Sequence, residues 1–436
     1  MSSVTGTGSP VVLLASGTRG DVQPFLALAL GLQEAGIPAV IAAASRFRSL
    51  VEDRGVGFAP LKGNPSDLMA AGADSMAASV SGGIARGIVS TARFLRRAQE
   101  EYRLMLESAA AACRPARAIL AGLSSTWGLS IGQALRVPCV FCMLQPFGRT
   151  HEFPSALLPV RFSLGRSYNS LTYRVLEQAM WQPWRRTTNA WRRRTLHLPS
   201  LSFAGPWREL YASRFPCLYG FSPAVAPPPG DWPADHIVTG FWYLDGQRGW
   251  SPPPALERFL SSGDPPIFVG FGSMGMSRGG FHRVIERALG SARLRAIVSS
   301  GGPGAHLSLV DGARRFAVPG DVPHAWLFPR VSTVVHHGGA GTTAEGVRAG
   351  VPSIIFPVAA DQYFWAERIA ALGAGPRPLS RGSLTPEAIA DLFIRVPKDP
   401  DMRKRARLLG GVVRSERGVA RAVEALIPIL GSTART

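Results

Sequence analysis

The sequence predicts an α/β protein made of two doubly wound, Rossmann-like domains that face each other. Two observations carry this: a strand, helix, strand rhythm opens the chain, and the same rhythm restarts after a proline-rich stretch past its midpoint. No short internal repeat competes with that pattern. Val11 to Ala15 is an apolar run closed by Ser16-Gly17-Thr18-Arg19-Gly20-Asp21, after which Phe25, Leu26, Leu28, Ala29 and Leu32 recur at helical spacing. Gly36 stops the helix, and Ala39 to Ala43 supplies a second strand, so Val11 to Ala43 has the order and length of a parallel βαβ unit. Ala118 to Leu120 and Val137 to Met143 continue the sheet.

Between Phe221 and Pro266 the prolines cluster, at 227 to 229, 252 to 254 and 265 to 266, which marks an interdomain connection. Beyond it come Ile267 to Phe271, Ala296 to Ser299, Val331 to His336 and Ser353 to Phe356, each an apolar strand followed by glycines or a helix-like stretch. The expected division is a first Rossmann-like domain over 1–240, a linker over 241–265 and a second Rossmann-like domain over 266–436.

Hydrophobic residues make up 46% of the 436 and charged ones 18%, which excludes a disordered or fibrous chain. Lys and Arg total 48 against 29 Asp and Glu, a net charge of +19 that suits acidic partners such as a phosphorylated substrate or an anionic lipid. The same balance is met by an ordinary solvated basic surface. Four cysteines in a chain of this length form no disulfide framework and point to a reducing cytoplasm. No leader pattern opens the chain, and no apolar run approaches the ~20 residues of a spanning helix. The segment Arg161 to Arg194 interleaves Arg185, Arg186, Arg192, Arg193 and Arg194 with Trp181, Trp184 and Trp191. It reads either as an exposed basic helix or as a peripheral contact with an anionic membrane at its inner face.

The densest chemical signal is His336-His337-Gly338-Gly339-Ala340-Gly341-Thr342-Thr343-Ala344-Glu345, a strand end, a glycine turn and a helix start. Glycines there admit a ligand close to the backbone, Thr342 and Thr343 bring hydroxyls, and a helix N-terminus presents free N–H groups to an anion. It lacks the Lys of a P-loop. Gly270-Phe271-Gly272-Ser273-Met274-Gly275 satisfies GxGxxG, yet the next strand ends at Ser299-Ser300-Gly301 without the acid that holds a dinucleotide's ribose. A phosphate contact from Ser273 is therefore expected instead. Asp361-Gln362 follows a strand end and suits a polyol, or Asp361 simply caps the next helix. Asp21 likewise either caps the first helix or serves as a general base. Cys139-Val140-Phe141-Cys142 reads as buried packing and Asp399-Pro400-Asp401 as a turn, so no metal and no cofactor are expected.

Taken together, Gly17-Thr18-Arg19-Gly20-Asp21-Val22-Gln23-Pro24, the turn from His336 to Thr343, and Asp361-Gln362 resemble the nucleotide-sugar glycosyltransferases of the GT-B fold. The likeness is to sterol glucosyltransferases and bacterial antibiotic glycosyltransferases, and Phe221-Ser222-Pro223 through Val238-Thr239-Gly240-Phe241-Trp242 is similar to the segment before the linker in the sterol group. The resemblance implies Asp21 as catalytic base. It implies His337, Gly339, Gly341, Thr342 and Thr343 around the diphosphate, Ser273 near it, Glu345 on the ribose, and Asp361 and Gln362 on the sugar. Two positions depart from the plant pattern: its base-stacking Trp falls near Pro319-Gly320 and its Asn at Gly341, which leaves uridine and thymidine donors both open.

The function implied is inverting transfer of a hexose, glucose first, to a hydroxyl of a lipophilic acceptor such as a sterol or a polyketide. Trp127, Gln145, Phe147 and His151 are candidate acceptor contacts, or packing and loop residues. The expected partners are a nucleotide sugar and that acceptor, and no nucleic acid. An epimerase on the same scaffold and a basic lipid- or nucleic-acid-binding protein are the competing readings.

Overall fold

The computed structural model describes residues 8–63, 84–159, 162–212, 215–246, 250–272, 281–299, 314–318 and 322–431. Ser273, Arg161 and the Pro319-Gly320 pair lie outside them. The first sheet has seven strands, all parallel, in the order β3-β2-β1-β4-β5-β6-β7. They are β1 (Val11–Leu14), β2 (Ala39–Ala44), β3 (Gly57–Leu61), β4 (Ala118–Ala121), β5 (Cys139–Met143), β6 (Cys217–Tyr219) and β7 (His236–Val238). Strands β1 and β4 are buried at every position, which is what a parallel sheet covered on both faces requires of its central strands.

The helices of this part are α1 (Arg19–Glu34), α2 (Arg48–Glu52), α3 (Ile84–Ala112), α4 (Gly128–Leu135), α5 (Arg166–Trp181), α6 (Arg185–Arg194) and α7 (Trp207–Ala212). Helix α1 starts where Thr18 and Asp21 form a reciprocal capping box, and it buries Val22, Phe25, Leu26, Leu28, Ala29 and Leu32 against the sheet. Full burial of side chains of that size contributes about 1.5–3 kcal/mol each, so α1 is held by its apolar face far more than by its cap.

The second sheet has five parallel strands in the order β10-β9-β8-β11-β12: β8 (Ile267–Gly270), β9 (Ala296–Ser299), β10 (Arg315–Val318), β11 (Thr333–His336) and β12 (Ser353–Ile355). Around it lie α8 (Pro254–Ser261), α9 (Phe281–Ala292), α10 (His324–Leu327), α11 (Ala340–Ala349), α12 (Gln362–Ala371), α13 (Pro386–Arg395) and α14 (Pro400–Ser415). The α/β class with two doubly wound sheets is thus as the sequence rhythm predicts.

Two features cut across the expected division. Helix α8 falls within the linker span, and its Leu256 and Phe259 pack with Phe268 and Ile297 of the second sheet. The last helix, α15 (Gly418–Gly431), follows the second sheet in sequence but buries Ala422, Val423, Leu426 and Leu430 in the core of the first. It packs on α1, where a Cβ at Gly31 would stand 2.4 Å from Val419 Cγ1. The two parts also share a core in which Phe221 and Phe241 meet Trp365, and Arg368 Nε donates to the Val225 carbonyl at 2.8 Å.

Candidate active site

In each sheet the strand order reverses once, between β1 and β4 in the first and between β8 and β11 in the second. The carboxyl ends of parallel strands on either side of such a reversal open into a crevice where ligands bind. Asp21 follows β1, and Ser124 follows β4. The loop at Gly272 follows β8, and the glycine turn follows β11.

Asp21 sits in the first turn of α1, where its Oδ2 accepts from the Thr18 N–H at 2.7 Å and from the Thr18 hydroxyl at 3.0 Å. Burial raises its ionisation point, and the Thr18 bonds work against that rise. Gly17 has φ +144°, and a Cβ there would stand 2.2 Å from Asp21 Oδ2, so only glycine leaves room for the carboxylate. Ser16 and Ser124 bond each other across the ends of β1 and β4. Together with Gln145 and Asp21 they line a notch of about 10 Å³, the size of one water or one hydroxyl group.

In the second sheet, β11 ends in His336, whose Nδ1 accepts from the Gly338 N–H at 3.1 Å. Gly339 is the N-cap of α11 and makes no side-chain cap, which leaves the first N–H groups of that helix to a ligand. His337 lies beside them. Burial brings its imidazole down to about 4, so it is neutral at pH 7, and its Nδ1 is buried with no protein partner. Thr342 and Gly341 are half-buried on the first turn of α11, whereas Thr343 is fully buried with its hydroxyl unpartnered. Glu345, half-buried one turn further, has its carboxyl pushed up to about 7 by burial, with Arg348 opposing the rise.

Asp361 stands at the N-cap position of α12 without capping it. Its Oδ2 accepts from the Trp365 indole N–H at 2.9 Å instead. Gln362 Oε1 accepts from the N–H groups of Val358 and Ala359, at 2.7 and 3.1 Å, which closes the loop before α12. These groups converge. A Cβ at Gly338 (φ +93°) would stand 3.1 Å from the Gln362 carbonyl, and one at Gly272 would stand 3.3 Å from His337 Cε1. Asp361 is pushed up to about 6 by burial, with the charge of Asp21 adding to the rise and the Trp365 bond opposing it. Asp21 therefore faces the second sheet's site across the crevice. Arg19 does so too, since its charge helps burial bring His324 down to about 4.

Leu123 and Ser124 line the Asp21 notch and also a much larger cavity of about 460 Å³. Its walls are largely apolar and include Trp127, Met180, Trp181, Trp184, Trp207 and Leu210. Of the four candidate acceptor contacts, Trp127 lines this cavity and Gln145 lines the notch. Phe147 is buried behind the wall, against Trp207 with ring centroids 5.8 Å apart. His151 is exposed, its N–H bonded to Asp231 and its Nδ1 3.3 Å from the Arg166 carbonyl, and it lines neither cavity.

Sequence reasoning missed Ser124 and most of the cavity wall. Trp181 and Trp184, grouped with the basic segment, turn inward, and Trp184 packs on Tyr102 at 4.5 Å. Trp181 ends α5 and Trp184 is the N-cap of α6, so no single helical periodicity in the sequence marked them as one wall. The Cys139 and Cys142 pair lies in β5 as free thiols, and Asp399 N-caps α14 through the Met402 N–H at 2.9 Å.

A family model described as the glycosyltransferase family 28 N-terminal domain matches residues 11–153, and one described as the erythromycin biosynthesis protein CIII-like C-terminal domain matches residues 308–416. A sterol 3-beta-glucosyltransferase of Cryptococcus neoformans is 33% identical over 444 residues, covering 95% of this chain and 27% of its own length. That of Yarrowia lipolytica is 34% identical over 432 residues, covering 95% and 28%. The chain thus spans a little over a quarter of these relatives. Among solved structures, the calicheamicin glycosyltransferase CalG4 superposes with a TM-score of 0.66 at 19% identity, covering 98% of this chain and 99% of that one. The spinosyn rhamnosyltransferase SpnG complexed with thymidine diphosphate gives 0.60 at 17% identity, covering 96% and 100%.

Proposed function

We propose that the chain, which matches the glycosyltransferase family 28 N-terminal and erythromycin biosynthesis protein CIII-like C-terminal models, is a nucleotide-sugar glycosyltransferase of the GT-B fold, and within it an inverting, metal-independent hexosyltransferase acting on a hydroxyl of a lipophilic acceptor. The observation that carries this reading is the Asp21 carboxylate. It stands between an apolar cavity on its own side and the glycine turn and Asp361 on the other.

In this reading the acceptor fills the large cavity and puts its hydroxyl into the notch. The hydroxyl oxygen attacks the anomeric carbon as its proton passes to Asp21, while the bond from that carbon to the phosphate oxygen breaks on the opposite face. The diphosphate leaves into the free N–H groups of α11, and neutral His337 donates one hydrogen bond to it. Those groups bring their own positive potential to the leaving charge, which is why no metal or cofactor is assigned a part. Asp361 and Gln362 hold sugar hydroxyls and Glu345 the ribose. The donor is a UDP- or TDP-hexose, with glucose first.

Peripheral contact with an anionic membrane belongs to the same proposal, but through a different surface from the tryptophans. Leu171 and Val175 lie on the outer face of α5 at 55% and 52% exposure, beside exposed Arg174, with Phe162 and Leu164 exposed just before the helix. Among the described residues no helix is long and apolar enough to cross a membrane.

The test is nucleoside diphosphate release from UDP-glucose and TDP-glucose with panels of sterols and polyketide aglycones. Acceptor-dependent release supports transfer. Donor turnover without acceptor points to an epimerase, and no donor binding by folded protein removes the reading.

A further inference from the structure

The notch beside Asp21 is walled by side chains from three neighbouring strand ends. Asp21 follows β1, Ser124 follows β4 and Gln145 follows β5, and these strands lie side by side in the first sheet. At about 10 Å³ the notch takes a single water or hydroxyl, so the polar atoms that face it meet the same occupant.

Ser16 and Ser124 are committed to each other. Ser16 Oγ donates to Ser124, with the carbonyl at 3.1 Å and Oγ at 3.0 Å, and Ser124 Oγ donates in turn to the Ser16 carbonyl. Both hydroxyl protons are spent on joining β1 to β4. Asp21 accepts from Thr18 through Oδ2, and a carboxylate has no proton to give. Gln145 differs: it is 6% exposed, yet its side-chain amide has no partner among the described residues. Burying such an amide is costly unless the occupant of the notch accepts from its N–H.

We propose that Gln145 positions the reacting group by donating a hydrogen bond to it, and that this bond makes the site select a hydroxyl over an amine. The inference rests on the transferase reading and deepens it. A hydroxyl oxygen has one proton and two lone pairs. The proton passes to Asp21 and one lone pair accepts from the Gln145 N–H. The other forms the bond to the anomeric carbon as the bond from that carbon to the phosphate oxygen breaks, its electron pair leaving with the diphosphate. A neutral amine has a single lone pair. While that pair accepts from Gln145 it cannot attack, so an amine binds in the notch without reacting.

The test uses two aromatic-ring steroids that differ only in carrying a hydroxyl or an amino group on that ring, both uncharged at pH 7. Four tryptophans line the large cavity, so binding is read by their fluorescence, and transfer from UDP-glucose and TDP-glucose by product formed. The wild type should bind the two steroids within severalfold of each other, yet turn over the hydroxyl form at least ~100-fold faster. In solution the aromatic amine is the stronger nucleophile, so this order opposes intrinsic reactivity. In Gln145→Met both steroids should bind severalfold more weakly, and kcat for the hydroxyl form should fall ~10-fold while that for the amine form holds or rises. Gln145→Leu makes the same measurement if Gln145→Met does not fold. A merely structural role would lower both rates alike and leave their ratio unchanged, which would overturn the proposal. Equal turnover of the two by the wild type, or binding of neither, would overturn it as well. Binding in the predicted pattern, weakened in the variants but with no sugar transferred to either steroid, would remove the transferase reading and leave the Gln145 contact in place.

Discussion

Asp21 and Asp361, one at the reversal point of each sheet, lie close enough that the charge of the first raises the ionisation point of the second. Burial is the larger cause of the rise at Asp361, and the Asp21 charge adds to it. Folding thus favours protonated Asp361, which contributes stability below the unfolded value of about 4 and loses it as pH rises through about 6. The unfolding free energy of the wild type minus that of Asp361→Asn should therefore fall between pH 4 and 6 in urea titrations. In an Asp21→Asn background the fall should be smaller and end at lower pH. A difference that rises with pH would contradict the juxtaposition.

Gly17 secures that arrangement from below. Gly17→Ala places a methyl where Asp21 Oδ2 now sits and strains a backbone at φ +144°. It should cost about 1–3 kcal/mol in denaturant unfolding and reduce transfer to near the Asp21→Asn level. Unchanged activity would mean that the Asp21 carboxylate has no fixed role.

His337 is neutral and its Nδ1 is unpartnered. An arriving diphosphate raises its ionisation point, so nucleoside diphosphate binding should tighten from pH 7 to pH 5 more steeply in the wild type than in His337→Gln. Calorimetry in buffers of different ionisation heat should show proton uptake that the variant lacks. Identical pH profiles would remove His337 from the phosphate site.

The outer face of α5 gives a separate prediction. Leu171→Glu with Val175→Glu should reduce co-sedimentation with vesicles containing anionic lipid by more than ~10-fold and leave turnover of a water-soluble acceptor unchanged. Equal sedimentation of wild type and variant would place membrane contact elsewhere or nowhere.

Much of the fold was legible because the central strands are short, fully buried and soon followed by glycines, as in Val11–Leu14 and Thr333–His336. The glycine turn was legible for the same reason: close backbone approach needs those residue types. Strands β6 and β7 were not, since each is three residues long and prolines precede both. The return of α15 to the first sheet could not be read either, because an apolar stripe shows that a face is buried but not against what. Trp181 and Trp184 were grouped with arginines on local composition, whereas their inward direction is set by α5 and α6 packing over α3 and α4. His151, open in the sequence between an acceptor contact and a loop residue, is an exposed residue whose backbone N–H donates to Asp231.

The most direct measurement is acceptor-dependent nucleoside diphosphate release by the wild type and by Asp21→Asn. The amide keeps an oxygen that accepts from Thr18, so the α1 cap and the melting temperature should survive, while the carboxylate that takes the proton is gone. The account predicts a fall in kcat of about 10²–10⁴ with acceptor binding retained. A folded Asp21→Asn protein that releases nucleoside diphosphate at the wild-type rate would make Asp21 a helix cap and nothing more, and would contradict the mechanism at its centre.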